Sequence, residues 1–142
     1  MKFGLFGGAR SAPGVKDGHR LGYEAYIDSV VEAEELGFYS SFLVEHHFTG
    51  MGQVSSSLNL LTYLAAKTST IRLGTAVVVL PWHNPLLVAE QAATLDLLSK
   101  GRFDFGVGKG YRFTEFEGFC IPIEEANERF EEAITVIRKG WT

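Results

Sequence analysis

Strand-like segments begin near residues 2, 39, 71 and 103, a recurrence every ~32–37 positions that matches the length of a βα unit. The first, Phe3 to Phe6, is bounded by Gly7-Gly8, and Ala9 to Arg20, rich in Gly, Pro and charge, reads as a loop. Tyr23, Tyr26, Ile27, Val30, Ala33 and Leu36 then fall at three- and four-residue spacing, with Glu24, Asp28, Glu32 and Glu35 opposite them. That is an amphipathic helix, closed by Gly37 in a left-handed C-cap. The second strand covers about Tyr39 to Val44. Ser55-Ser56-Ser57 offers N-caps to a helix whose buried stripe is Leu58, Leu61, Leu64 and Ala65.

Ile71 to Leu80 is nearly all apolar beyond Arg72, which fits one parallel strand covered on both faces. Asn84-Pro85 supplies an N-cap and a first-turn proline. The helix they open buries Val88, Ala92, Leu95 and Leu98 and stops at Gly101. Arg102 to Val107 is the fourth strand. A last helix carries Ala126, Phe130, Ala133, Ile134 and Ile137 on one face. Four such units make a small doubly wound sheet or half of a (β/α)8 barrel, and a whole barrel needs about 250 residues. The chain has 142 and reaches Gly140-Trp-Thr142 where a fifth strand would begin. The expectation is therefore one α/β domain over 1–142, a half-barrel truncated before its fifth strand. Unpaired strand edges beyond residue 108 would invite association, so a homo-oligomer is expected.

Hydrophobic residues make up 46% of the chain, ample for a core, and the net charge of −4 offers no phosphate footprint for nucleic acid. The chain has one cysteine, Cys120, which excludes an internal disulfide. No apolar run reaches the about 18 residues of a membrane span. A cytoplasmic protein without nucleic-acid or membrane partners is the expectation.

Chemistry concentrates where strands end. Ser41-Phe-Leu-Val44 breaks off at Glu45-His46-His47, and Gly106-Val-Gly-Lys-Gly110 ends the fourth strand. Polar groups at the carboxyl ends of parallel strands form active sites in α/β proteins. Histidine suits proton transfer near neutral pH, although hydrogen-bonded, inert imidazoles at a strand end explain the same residues. Adjacent strand residues face opposite ways, no His-x3-His spacing follows, and no metal site is expected. The glycine segment lacks both Walker spacing and the last glycine of G-x-G-x-x-G, since Tyr111 stands there. Lys109 beside bare amides can still meet an anion. Phe48, Trp82, Phe113, Phe116 and Phe119 either wall an apolar pocket or cover the barrel mouth. Cys120 has no activating base near it in sequence.

Met1-Lys-Phe-Gly4, Glu45-His-His-Phe-Thr49, Gly74-Thr-Ala76 with the run to Leu80-Pro81, Ser99-Lys-Gly-Arg-Phe103, Phe105-Gly106 and Arg129 occur in one order. Together they resemble the N-terminal part of the bacterial luciferase-like flavin monooxygenases, especially the luciferase α subunit. The resemblance implies a (β/α)8 TIM barrel using reduced FMN and O2 to oxidise a small organic substrate through a C4a-hydroperoxyflavin. A flavin reductase would supply the reduced FMN. His46 matches the family's catalytic histidine, with Glu45 and His47 its motif neighbours. Ala76-Val77 matches a non-prolyl cis peptide beside the flavin ring, and Lys109 an arginine near the flavin phosphate.

Gly108 stands where luciferase has a reactive cysteine, so no thiol is available there. Trp82-His83-Asn84 replaces the corresponding luciferase segment. The phosphate-binding loops after strands seven and eight lie beyond these four units, so this chain alone is expected to be inactive or feebly active. Three other readings remain open: a deazaflavin-dependent hydride-transfer oxidoreductase, a non-catalytic flavin-binding protein on a reduced barrel, and a structural half-barrel pairing with another chain.

Overall fold

The computed structural model describes residues 1–11, 14–50 and 54–142. Strands β1 (Gly4–Gly7), β2 (Ser40–Leu43), β3 (Arg72–Thr75) and β5 (Phe103–Asp104) form one parallel sheet in that order. Strands β4 (Val78–Val79) and β6 (Val107–Gly108) form a second parallel pair beyond it. Helices α1 (Gly18–Glu35), α2 (Ser57–Lys67), α3 (Pro85–Ser99), α4 (Phe113–Gly118) and α5 (Ala126–Gly140) fill the intervals. Strands neighbour one another in chain order without a switch point. α1 packs on α2, α2 on α3, and α3 on α5. Of the two architectures open from the sequence, this is the barrel wall, because a doubly wound sheet reverses its strand order.

Alternation along the strands fixes the two faces. Leu5, Leu43, Leu73 and Phe103 join Val30 and Ala33 of α1, Leu61 and Leu64 of α2, and Ala92 and Leu95 of α3 in the main core. The opposite face carries Phe6, Phe42 and an ion pair in which Arg72 reaches both oxygens of Asp104 at 2.8 and 2.6 Å. A second cluster, Val78, Leu80, Val88, Ala89, Ala133 and Ile137, seats α3 and α5 against the β4 end.

Several boundaries differ from the sequence reading. α1 starts at Gly18, inside the expected loop; Arg20 and Glu24 pair along this polar first turn, where hydrophobic periodicity has no signal. Positions 12–13 of that loop lie outside the described residues. Gly37 has φ 81°, the left-handed conformation expected of it. Asn84 caps α3 by accepting from the Leu86 and Leu87 amides. Leu98 is exposed rather than buried, while Ala89 and Ser99 turn inward.

The third and fourth strands are each broken in two. Gly106 N–H donates to Thr75 Oγ1 (3.0 Å), whose hydroxyl donates to the Gly106 carbonyl (2.8 Å). That carbonyl also accepts from Val78 N–H at 2.9 Å. The ladder is thus interrupted at one level in both strands and resumes with Val78 opposite Val107.

Candidate active site

Three chain segments emerge at the carboxyl ends of the strands: Val44 to Phe48 after β2, a 3-10 turn Leu80–Trp82 after β4, and Lys109 to Arg112 with α4 after β6. Glu45 is the hub of the first two. Its carboxylate is buried, with Oε1 2.8 Å from His47 Nε2 and 2.6 Å from His83 Nε2. Trp82 Nε1–H donates to the same oxygen at 3.1 Å, and Val79 N–H to Oε2 at 3.0 Å. Burial alone would raise the carboxyl's pKa. Hydrogen bonds from His47 and His83, the charge on His83 and the indole N–H outweigh it and hold the group at about 2.

The sequence offers no third ligand beside Glu45 and His47, but the fold supplies His83. The three ligand atoms lie within 4.8 Å of one another, close enough to hold a metal ion. Their mutual hydrogen bonds account for the convergence by themselves, since a buried carboxylate needs donors on its lone pairs.

His46 is held separately. Its Nδ1 lies 3.0 Å from Oε1 of Glu115, a buried residue of α4, and the same oxygen accepts the His47 backbone N–H at 2.9 Å. The sequence reading missed Glu115. It lies 69 positions from His46, and no local pattern in Phe113-Thr-Glu-Phe116 marks it as a partner.

A cavity of about 490 Å³ opens between these segments, lined by Glu45, His46, Ala76, Val77, Gly108 and Lys109, whereas His47, their motif neighbour, lies outside it. Phe6, Val44, Val79 and Tyr111 add apolar wall. The Ala76–Val77 peptide is cis. A Cβ on Gly108 would lie 2.6 Å from Val77 Cγ2, so a valine methyl fills the space that a side chain at 108 would need. Lys109 Nζ donates to Asn127 Oδ1 of α5 at 2.9 Å. His46 also borders an adjoining polar cavity of about 320 Å³ lined by Gly7, Gly8, Arg10 and Arg112.

The aromatic residues close over one side of this site. Phe119 stacks on Trp82 (centroids 5.3 Å apart, 24° between planes) and meets His47 edge-on at 4.7 Å. Phe116 packs edge-on against Trp82 at 4.9 Å, and Phe48 lies 5.2 Å from Phe119. They cover the Glu45 hub rather than wall the cavity. Phe113 is exposed and takes no part. Cys120 is a free, exposed thiol outside the cavity. Among the described residues no helix is long and apolar enough to cross a membrane.

Comparison with known proteins places this geometry. The alkanal monooxygenase alpha chain of Photorhabdus luminescens is 36% identical over 110 residues, covering 78% of this chain and 30% of the relative. The monooxygenase RslO1 of Streptomyces bottropensis superposes with a TM-score of 0.90 at 34% identity, covering 98% of this chain and 42% of its own. The coenzyme F420 dependent tetrahydromethanopterin reductase of Methanopyrus kandleri superposes with a TM-score of 0.64 at 27% identity, covering 86% and 30%. This chain spans about a third of the length of the curated relatives it matches, and its fold is the corresponding part of a TIM barrel. The luciferase-like monooxygenase profile matches residues 1–142; the chain belongs to that family.

Proposed function

We propose that residues 1–142 form the histidine-bearing half of a flavin site in an FMN-dependent monooxygenase that oxidises a small organic substrate with O2. The observation that carries this reading is the position of His46, anchored at Nδ1 and bordering a cavity shared with Ala76, Val77, Gly108 and Lys109. The donor set fits the cofactor. Val77, Val79 and Phe6 offer apolar surface to a flat ring, Gly108 keeps one wall flat, and Lys109 and the neighbouring amides suit an anionic group.

Reduced FMN, delivered by a flavin reductase, would supply the electrons that activate O2. The chain's own part is narrower. His46 holds or accepts a proton at the cavity wall, Glu45 locks the loop that carries it, and the aromatic layer of Trp82, Phe116 and Phe119 keeps water from the hub. The remaining barrel strands would complete the phosphate site. Catalysis is accordingly assigned to the whole barrel, and oligomer formation and a cytoplasmic setting are part of the same proposal.

An anaerobic titration of this chain with reduced FMN, followed by admission of air, tests the reading. Saturable binding with an absorbance transient on aeration supports it. Absence of binding assigns the phosphate contacts to the remaining strands, and the test then moves to the protein carrying the whole barrel. There, His46→Ala should lower oxygenation about 100-fold or more, and unchanged turnover would refute the role of His46.

The relation to the F420-dependent reductase favours a second reading, hydride transfer with a deazaflavin. Oxygen uptake separates the two, because only the oxygenase consumes O2 in proportion to product.

A further inference from the structure

We propose that Glu115 is the positioning residue of His46, fixing its imidazole with the proton on Nδ1 and so making Nε2 the atom that exchanges protons with the cavity. The inference rests on the proposed role of His46 and adds a residue to it.

The geometry leaves the hydrogens little choice. Glu115 Oε1 receives the His47 N–H at 2.9 Å, and a backbone amide can only donate. His46 Nδ1 approaches the same oxygen at 3.0 Å. A bare Nδ1 would set one lone pair against another inside a buried site, where an unmet acceptor costs most. A carboxylate therefore holds the hydrogen on Nδ1, and Nε2 has no partner among the described residues. A neutral His46 then presents a lone pair at Nε2 and a protonated one presents a hydrogen there. Either way the exchangeable site is the same atom.

The fold makes the carboxylate hard to move. Glu115 stands in the first turn of α4, its N–H bonded to the Arg112 carbonyl at 3.1 Å. The next residue, Phe116, is 1% exposed and wedged against Trp82. Trp82 in turn donates to Glu45. Rotating α4 to withdraw Glu115 would pull Phe116 out of that layer. Two carboxylates thus divide two adjacent histidines: Glu45 takes the His47 ring, Glu115 takes the His46 ring and the His47 amide. The rings cannot exchange roles without breaking both sets.

Long-range 15N–1H correlation spectra of the 15N-histidine-labelled chain near neutral pH read the tautomer directly and need no flavin. The expected result is the Nδ1–H pattern for His46 in the native chain, and in Glu115→Met a shift toward the Nε2–H form that free imidazole side chains favour. The Trp82 indole N–H resonance in a one-dimensional proton spectrum of the same sample reports whether the variant keeps its fold. An Nε2–H pattern for His46 in the native chain overturns the proposal. So does a folded Glu115→Met chain that keeps Nδ1–H. If the variant unfolds, the native spectrum alone decides. Failure of the flavin titration leaves this result untouched, so the two proposals fail separately.

Discussion

Glu45 Oε1 and His83 Nε2 lie 2.6 Å apart although 38 positions separate them, tying the end of β2 to the turn that follows β4. With His47, Trp82 and Val79 also aimed at the carboxylate, its removal leaves several buried donors unmet. Glu45→Gln keeps the shape but loses the charge and reverses one hydrogen-bond polarity. It should lower unfolding stability by about 2–4 kcal/mol. Urea denaturation of the two chains measures this, and equal midpoints would show that the hub carries no net stabilisation.

Acid should act through the same group. Glu45 and Glu34 both sit at about 2 in the folded chain against an ordinary 4.5. For Glu34, burial pushes upward, but amides of Ile71, Thr70 and Ser69 and the Thr70 hydroxyl outweigh it. A lowered folded-state pKa means the stabilisation is complete above the unfolded value and disappears as pH falls through the folded one. Stability should therefore drop between about pH 4.5 and about pH 2. In Glu45→Gln that slope should be shallower, and a pH series of denaturation curves would reveal an unchanged slope.

Arg102 should prove structural. Its guanidinium donates to the Ser99, Ile71, Ala65 and Thr68 carbonyls and to the Thr68 hydroxyl, closing the carboxyl end of α2 against the turn after α3. Arg102→Ala should cost about 2–4 kcal/mol, whereas Arg138→Ala, on an exposed face, should stay within about 0.5 kcal/mol. Thermal melts of both variants compare them.

Gly108→Cys places a thiol in the cavity but drives its Cβ against Val77 Cγ2. The expected loss is about 1–3 kcal/mol. Val77→Ala should relieve part of it, giving a favourable coupling of about 1 kcal/mol in a double-mutant cycle. Additive losses would mean that the two positions do not compete for space.

Periodicity made the helices and the order of strands legible, because burial of one stripe repeats along the chain: Val30 with Ala33, Leu61 with Leu64, Val88 with Ala92. Motif order made His46 and its five cavity neighbours legible. What stayed hidden depends on distant partners. The polar first turn of α1 carries an exposed ion pair in place of an apolar stripe. The break between Thr75 and Val78 comes from a side chain and a backbone that meet 31 positions apart. Glu115 and His83 acquire meaning only once β6 and β4 have delivered them to the same mouth.

That break also separates two kinds of mutational freedom. Shifting a strand by one residue turns every side chain to the wrong face, so the wall of β1, β2, β3 and β5 tolerates little change in length. Thr75 and Gly106 end that alternation with a clasp of their own, and Val78 and Val107 begin a fresh one. Beyond Val78 and Leu80, which stay packed against α3 and α5, a change of length above the clasp transmits no phase error to the sheet beneath. A lineage that changes what the cavity admits can therefore redraw its rim while inheriting its foundation intact.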